Sequence, residues 1–163
     1  MARAWVFGDD ISTDDIIAGR YLSKFEAEHD PRWLADHVME NVDPEFASKV
    51  KEGDVIIGGK NFGCGSSREE APIALKGAGI KAVFAESFAR IFYRNSINRG
   101  LYVFVSPGVS RGFKSGDEVE VDVEKGEILN VRTGETFRAE PMPEFMLKII
   151  RVGGLLEHLK GRK

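Results

Sequence analysis

The chain has 163 residues, of which 42% are hydrophobic and 30% charged, and a formal net charge of −3. That balance predicts a soluble globular domain that buries roughly two-thirds of its unfolded surface without help from disulfides or metals. A slightly acidic chain excludes a general nucleic-acid binder, which carries a basic excess, and no apolar run is long enough to span a bilayer.

In chain order, Trp5, Val6 and Phe7 predict a short first strand. The run is too short for a signal peptide and meets two aspartates, Asp9 and Asp10. Residues 8–20 are rich in Asp, Ser, Thr and Gly, follow neither a helical nor a strand period, and predict an irregular but ordered loop. Alternate acids in it would suit a calcium loop. The central glycine and terminal glutamate of an EF-hand are missing, so an N-cap and turn is the plainer reading. Residues 23–30 lack apolar periodicity and predict a mobile stretch. Residues 31–40 predict a helix, with proline in the first turn and Trp33, Leu34, His37 and Val38 along one side. Residues 43–46 look like another short helical start.

Residues 54–57 predict a strand that passes through the glycine-rich stretch 58–65 into a helix. That helix would start at Ser66 or Ser67 and end near Gly77 or Gly79. Ser67 with Glu70, or Ser66 with Glu69, has the spacing of a capping box. A strand over 81–85 follows. Then comes a helix over 87–99, with Phe88, Ile91, Phe92 and Ser96 on the buried face, and a strand over 101–105 stopped by Pro107. Gly100 stands where a left-handed C-terminal residue is wanted. This strand–helix–strand–helix–strand order predicts parallel pairing with crossover helices. Residues 117–123, 127–131 and 136–139 then alternate, with turns at Lys125-Gly126 and Thr133-Gly134, and predict antiparallel hairpins. The tail 143–159 reads as helical, broken at Gly153-Gly154. With no linker or repeat, the expectation is one α/β domain over 1–163, a mixed sheet with a parallel βαβαβ core and C-terminal antiparallel hairpins.

The single cysteine, Cys64, permits no internal disulfide and fits a cytoplasmic setting. One thiolate also cannot hold an iron–sulfur cluster. His29, His37 and His158 lack metal-ligand spacing and read as surface or half-buried, so no metal is expected on this chain.

The strongest local signal is Gly63-Cys64-Gly65-Ser66-Ser67-Arg68-Glu69-Glu70. Glycines ahead of a helix let the backbone approach a ligand, with free N–H groups and the helix dipole favouring an anion. Arg68 adds a full charge in a planar fork that suits a carboxylate. The stretch is neither a Walker A loop nor a dinucleotide fingerprint. A capped helix after a tight turn would use the same residues, but one cap does not require two serines, an arginine and several glycines.

Three segments together, GDDISTDDIIAGRYL (8–22), GKNFGCGSSREE (59–70) and AESFARIFYRNSINRGL (85–101), resemble the swivelling domain of the aconitase superfamily. Their order and spacing are similar to those of the small subunits of 3-isopropylmalate dehydratase and homoaconitase, over essentially the whole chain. The resemblance implies a swivelling β/β/α fold and a partner large subunit carrying a 4Fe-4S cluster. It also implies a small dicarboxylate or tricarboxylate substrate and the shift of a hydroxyl between adjacent carbons by loss and return of water. Ser66 is then the base for the carbon-bound proton, and Ser67 and Arg68 are carboxylate ligands. Thr13 and Asp14 match the family's Thr-Asp pair at the site edge. The family's substrate-selecting loop reads Tyr21-Leu22-Ser23-Lys24, where Leu22 would meet an alkyl group and Lys24 a carboxylate. Isopropylmalate, homoaconitate or both remain open as substrates, as does a stand-alone anion-binding module of no catalysis. Without its large subunit the chain is expected to self-associate.

Overall fold

Two short apolar stretches, Val55–Gly58 and Ala82–Ala85, are buried along their whole length, as strands covered on both faces must be. They sit at the centre of one side of a seven-stranded mixed sheet. The computed structural model describes residues 1–161. In chain order the elements are β1 (Ala2–Val6), α1 (Thr13–Ile16), a 3-10 turn (Gly19–Tyr21), α2 (Leu22–Glu28), α3 (Pro31–Ala35), α4 (Phe46–Lys49), β2 (Val55–Gly58), α5 (Glu70–Gly77), β3 (Ala82–Ala85), α6 (Arg90–Asn98) and β4 (Tyr102–Val105). A second 3-10 turn (Val109–Arg111) leads to β5 (Glu118–Asp122), β6 (Glu127–Asn130), β7 (Thr136–Arg138), α7 (Glu144–Arg151) and α8 (Leu155–Lys160).

The strand order is β4-β3-β2-β1-β5-β6-β7. β1 to β4 are mutually parallel, and β5, β6 and β7 continue from β1 as antiparallel neighbours. The parallel core and the hairpins match the sequence reading. Their turns carry left-handed glycines at Gly126 and Gly134, and Gly100 takes φ +81° after α6. Side chains alternate across the sheet. Ile56, Val83 and Val103 pack with Leu34, Ala71, Leu75 and Phe92 on the helical side. Val55, Ile57, Phe84 and Phe104 pack on the other face with Val109, Val119 and Ile128, so the sheet curls and its antiparallel half covers the parallel half.

Five local expectations are corrected. Residues 8–20 hold a helical turn, α1, capped by Ser12: its side chain accepts from Asp15 N–H while the Asp15 carboxylate accepts from Ser12 N–H. Residues 22–28 form a regular helix, α2, because Leu22 and Phe25 pack against the core and order a segment whose own pattern is weak. The helix expected over 31–40 stops at Ala35. Met39, at φ +59°, turns its N–H onto the Ile16 carbonyl at 2.8 Å and buries its side chain. Helix α5 begins at Glu70, and neither Ser66 nor Ser67 caps it. Left-handed Gly63 and Gly65 route the chain as a loop there instead. Helix α6 likewise starts late, after Ala89 N–H has bonded the Phe62 carbonyl, and this leaves Ile91 51% exposed rather than buried.

Asp117 fastens the two halves together. Its buried carboxylate accepts from Arg132 Nε at 2.8 Å, Lys114 N–H at 2.8 Å and Asn130 Nδ2 at 2.9 Å, while its carbonyl accepts from Ala4 N–H in β1. The Arg132 guanidinium, against the opposing effect of burial, holds this carboxyl far below the usual carboxylate range. A carboxyl lowered on folding stabilises the fold above its unfolded pKa, about 4, and that contribution fades as pH falls below it. Asp117→Asn should therefore lower unfolding free energy by about 2 kcal/mol at pH 7. The difference from the parent chain should shrink on acidification below about pH 4, as urea titrations across pH would measure.

Candidate active site

The parallel ladder does not end where the strands do. Beyond Val6 and Gly58 the chains stay paired: Gly59 N–H bonds the Gly8 carbonyl at 3.2 Å, Asp10 N–H that of Lys60 at 2.8 Å, Gly63 N–H that of Ile11 at 2.7 Å and Thr13 N–H that of Cys64 at 2.8 Å. On the other flank Glu86 N–H bonds Gly59 and Phe62 N–H bonds Ser87, while the Ser87 hydroxyl accepts from Asn61 N–H at 2.8 Å. Asp10, Asn61, Gly63 and Gly65 adopt left-handed φ to keep these irregular strands in register. The three segments thus meet at the C-terminal ends of β1, β2 and β3, where open α/β sheets form ligand crevices.

A cleft of about 350 Å³ opens there, lined by Thr13, Gly65, Ser66, Ser67 and Arg68 on one side and Ala89, Arg90 and Ile91 on the other. The sides meet where Gly63 lies against the Phe92 ring. A Cβ on Gly63 would sit 2.1 Å from that ring, so only glycine fits the floor. Ser66 and Ser67 are exposed to the cleft. Buried Thr13 donates its hydroxyl to the Ser66 carbonyl at 2.7 Å, pinning that residue's backbone from 53 positions away. Arg68 donates through Nη1 to Asp14 Oδ1 at 2.9 Å and to the Ile17 carbonyl at 2.8 Å. The arginine side chain is 20% exposed and its partner 60%. The capping box at Ser12 turns both Thr13 and Asp14 toward the glycine loop.

The structure therefore brings Thr13, Asp14, Ser66, Ser67 and Arg68 together. It leaves Tyr21, Leu22, Ser23 and Lys24 outside the cleft lining. The Tyr21 hydroxyl donates to Glu40 at 2.8 Å and its ring stacks on His37 at 3.9 Å. The Tyr21 hydroxyl, against burial and with help from His37, lowers the Glu40 carboxyl. Leu22 packs on the core, Ser23 is exposed, and Lys24 holds its ammonium 4.2 Å from the Trp33 ring centre. The segment does adjoin the site through Gly19, whose missing Cβ would lie 3.4 Å from Arg68 Nη2. Arg90, which the sequence reading did not single out, and Ile91, which it placed on a buried helix face, are both cleft residues, and the quoted Ser-Phe-Ala-Arg-Ile-Phe run contained both.

The helix dipole contributes less than the sequence implied. Ser66 stands four residues ahead of the first residue of α5, and the dipole's influence fades within a turn. An anion at Ser66 would depend chiefly on Arg68 and the loop amides.

The aconitase C-terminal domain profile matches residues 13–105. The 3-isopropylmalate dehydratase small subunit 1 of Methanopyrus kandleri is 60% identical over 97% of this chain and 91% of that protein. The chain belongs to the aconitase family, in its isopropylmalate dehydratase small-subunit branch. The methanogen homoaconitase small subunit of Methanothermobacter thermautotrophicus is 52% identical over 96% of this chain and 88% of that one. A crystal structure of 3-isopropylmalate dehydratase from Methanocaldococcus jannaschii superposes with a TM-score of 0.91 at 50% identity, covering 99% of this chain and 93% of that one.

This aconitase-family subunit has no three His, Cys, Asp or Glu side chains converging as a metal would need, among the described residues. Its half-buried Cys64 thiol is pushed up by burial and by nearby Asp10, and a single cysteine cannot supply the several thiolates that a cluster needs. The ligand set for an iron–sulfur cluster does not exist on these residues. No helix among them is long and apolar enough to cross a membrane. In this subunit Thr13→Val should remove the hydrogen bond to Ser66 at nearly constant volume. The expected loss is about 1 kcal/mol of stability in urea denaturation, with a displaced Ser66 in a crystal structure of the variant.

Proposed function

We propose that this chain is the small subunit of a heteromeric hydro-lyase of the cytoplasm. With a cluster-bearing large subunit it interconverts 2-isopropylmalate and 3-isopropylmalate by dehydration and rehydration, a step of leucine biosynthesis. The observation that carries the reading is an exposed Ser66, pinned by Thr13, beside Arg68 in a cleft at the strand ends. The names of the relatives support the substrate.

In this reading Ser66 takes the proton from carbon, the hydroxyl on the neighbouring carbon is protonated by a general acid of the large subunit and leaves as water, and a carbon–carbon double bond forms. Water then adds back with the two positions exchanged, and Ser66 returns the proton. A serine hydroxyl is a weak base unless its anion is stabilised, and the Arg68 charge favours that anion. Ser67 and Arg68 hold substrate carboxylate, while Asp14 positions the guanidinium. The 4Fe-4S cluster, on the large subunit, supplies a Lewis acid for the substrate hydroxyl. The segment of Tyr21, Leu22, Ser23 and Lys24 would select the substrate from its place beside Gly19 and Arg68. Homoaconitate is the second reading, favoured by the homoaconitase relative and by a cation in that segment, Lys24.

Co-expression with a large subunit, followed by assays on both substrates, tests the reading. Turnover of 3-isopropylmalate is expected. Carboxylate binding without turnover of either acid would leave only an anion-binding module. Ser66→Ala should cut kcat by about 10²–10⁴-fold, the usual worth of a positioned base, with KM little changed. Arg68→Lys should raise KM and lower kcat together, because lysine lacks the planar fork. The isolated chain should be inactive and should self-associate in light scattering.

A further inference from the structure

Arg90 is an exposed cation with no task in the fold. It lines the cleft with Ser66, Ser67 and Arg68 but lies across from them, in the first turn of α6. Among the described residues its side chain makes no ion pair, whereas Arg68 is committed to Asp14 and the Ile17 carbonyl. Its position is also unfavourable to its own helix. A cation in the first turn opposes the dipole, and that turn contains no acid to offset it. A charge placed against a local rule, unpaired and inside a cleft, marks a ligand rather than a packing role.

The proposed substrates carry at least two carboxylates, and Arg68 alone offers one partly neutralised guanidinium for them. We propose that Arg90 is the second carboxylate-binding residue of this cleft. It grips the end of the diacid opposite to that held by Arg68 and Ser67, and so fixes the reacting carbon over Ser66. Ile91, exposed beside it on the same rim, gives the substrate's alkyl substituent an apolar wall. The assignment rests on the hydro-lyase reading.

The test uses the reconstituted two-chain enzyme with 3-isopropylmalate, comparing Arg90→Gln and Arg90→Lys with the parent. Arg90→Gln should raise KM by about 10- to 100-fold, the usual loss for a charge-assisted hydrogen bond. Arg90→Lys should recover part of that. Thermal stability of the small subunit should not fall in either variant, since the cation opposes its own helix. Assembly with the large subunit, followed by sedimentation, should be unchanged. A KM within threefold of the parent would overturn the assignment. So would a KM increase that vanishes at saturating large subunit, which would make Arg90 a partner contact instead. If the parent pair itself turned over neither acid, the hydro-lyase reading would fail and Arg90 would fall with it, whereas an active parent with an indifferent Arg90→Gln removes only Arg90.

Discussion

Backbone pairing that outlasts its strands controls the geometry of this molecule's working end. β1 stops at Val6 and β2 at Gly58, yet N–H to carbonyl contacts run on as far as Thr13 and Cys64. Each such bond is worth only about 1 kcal/mol net. Their joint effect is to hold two loops and the entry to α6 in fixed register. The conformations this requires are ones most residues avoid, and the chain meets them with Asp10, Asn61, Gly63 and Gly65. Exposed Ser66 and Ser67 can then sit on a loop while the loop behaves as an extension of the sheet.

Three side-chain bonds hold residues of the cleft in place. Thr13 holds the backbone of Ser66, and Asp14 with the Ile17 carbonyl holds the guanidinium of Arg68. Thr13 and Asp14 both come from the first turn of one short helix, so the cap formed by Ser12 and Asp15 governs a serine and an arginine more than 50 residues away in sequence. In the proposed function, fixing Arg68 before a ligand arrives would remove rotamer freedom that binding would otherwise have to freeze. The same ion pair blunts the charge that Arg68 can offer, whereas Arg90 in the same cleft has no ion pair among the described residues.

Much of the architecture was legible in the sequence because it was written locally. Hydrophobic runs separated by helical spacing gave the parallel core, and alternation around Lys125-Gly126 and Thr133-Gly134 gave the hairpins. Other features were misread where two local signals competed. Ser67 and Glu70 have capping-box spacing, but Gly63 and Gly65 turn the chain before a helix can start, and the box forms instead at Ser12 and Asp15, in the stretch read as an N-cap and turn. Trp33, Leu34, His37 and Val38 keep helical spacing, yet Met39 ends the pattern by turning into the core. The pairing of β1 with β2 joins residues some fifty apart, such as Val6 and Ile57, and leaves no local trace. For the site, the grouping of Ser66, Ser67, Arg68, Thr13 and Asp14 followed from family resemblance, since composition alone allowed a capped helix. Arg90 was missed because an isolated arginine in a motif carries no signal until the cleft around it is visible.

The extended pairing also has a consequence for how the chain acquires its shape. The contact from Thr13 to Ser66 closes a loop of 53 residues, and the Asn61 to Ser87 contact closes another of 26. Contacts that distant contribute nothing until the intervening chain has been ordered, and folds rich in them form slowly, on the scale of milliseconds to seconds. During synthesis the stretch from Gly8 to Arg20 emerges long before the residues that position it. It has to wait for β2 and then for the entry to α6. The cleft is therefore a product of the finished sheet, absent from any partly folded form in which β1 has yet to find β2.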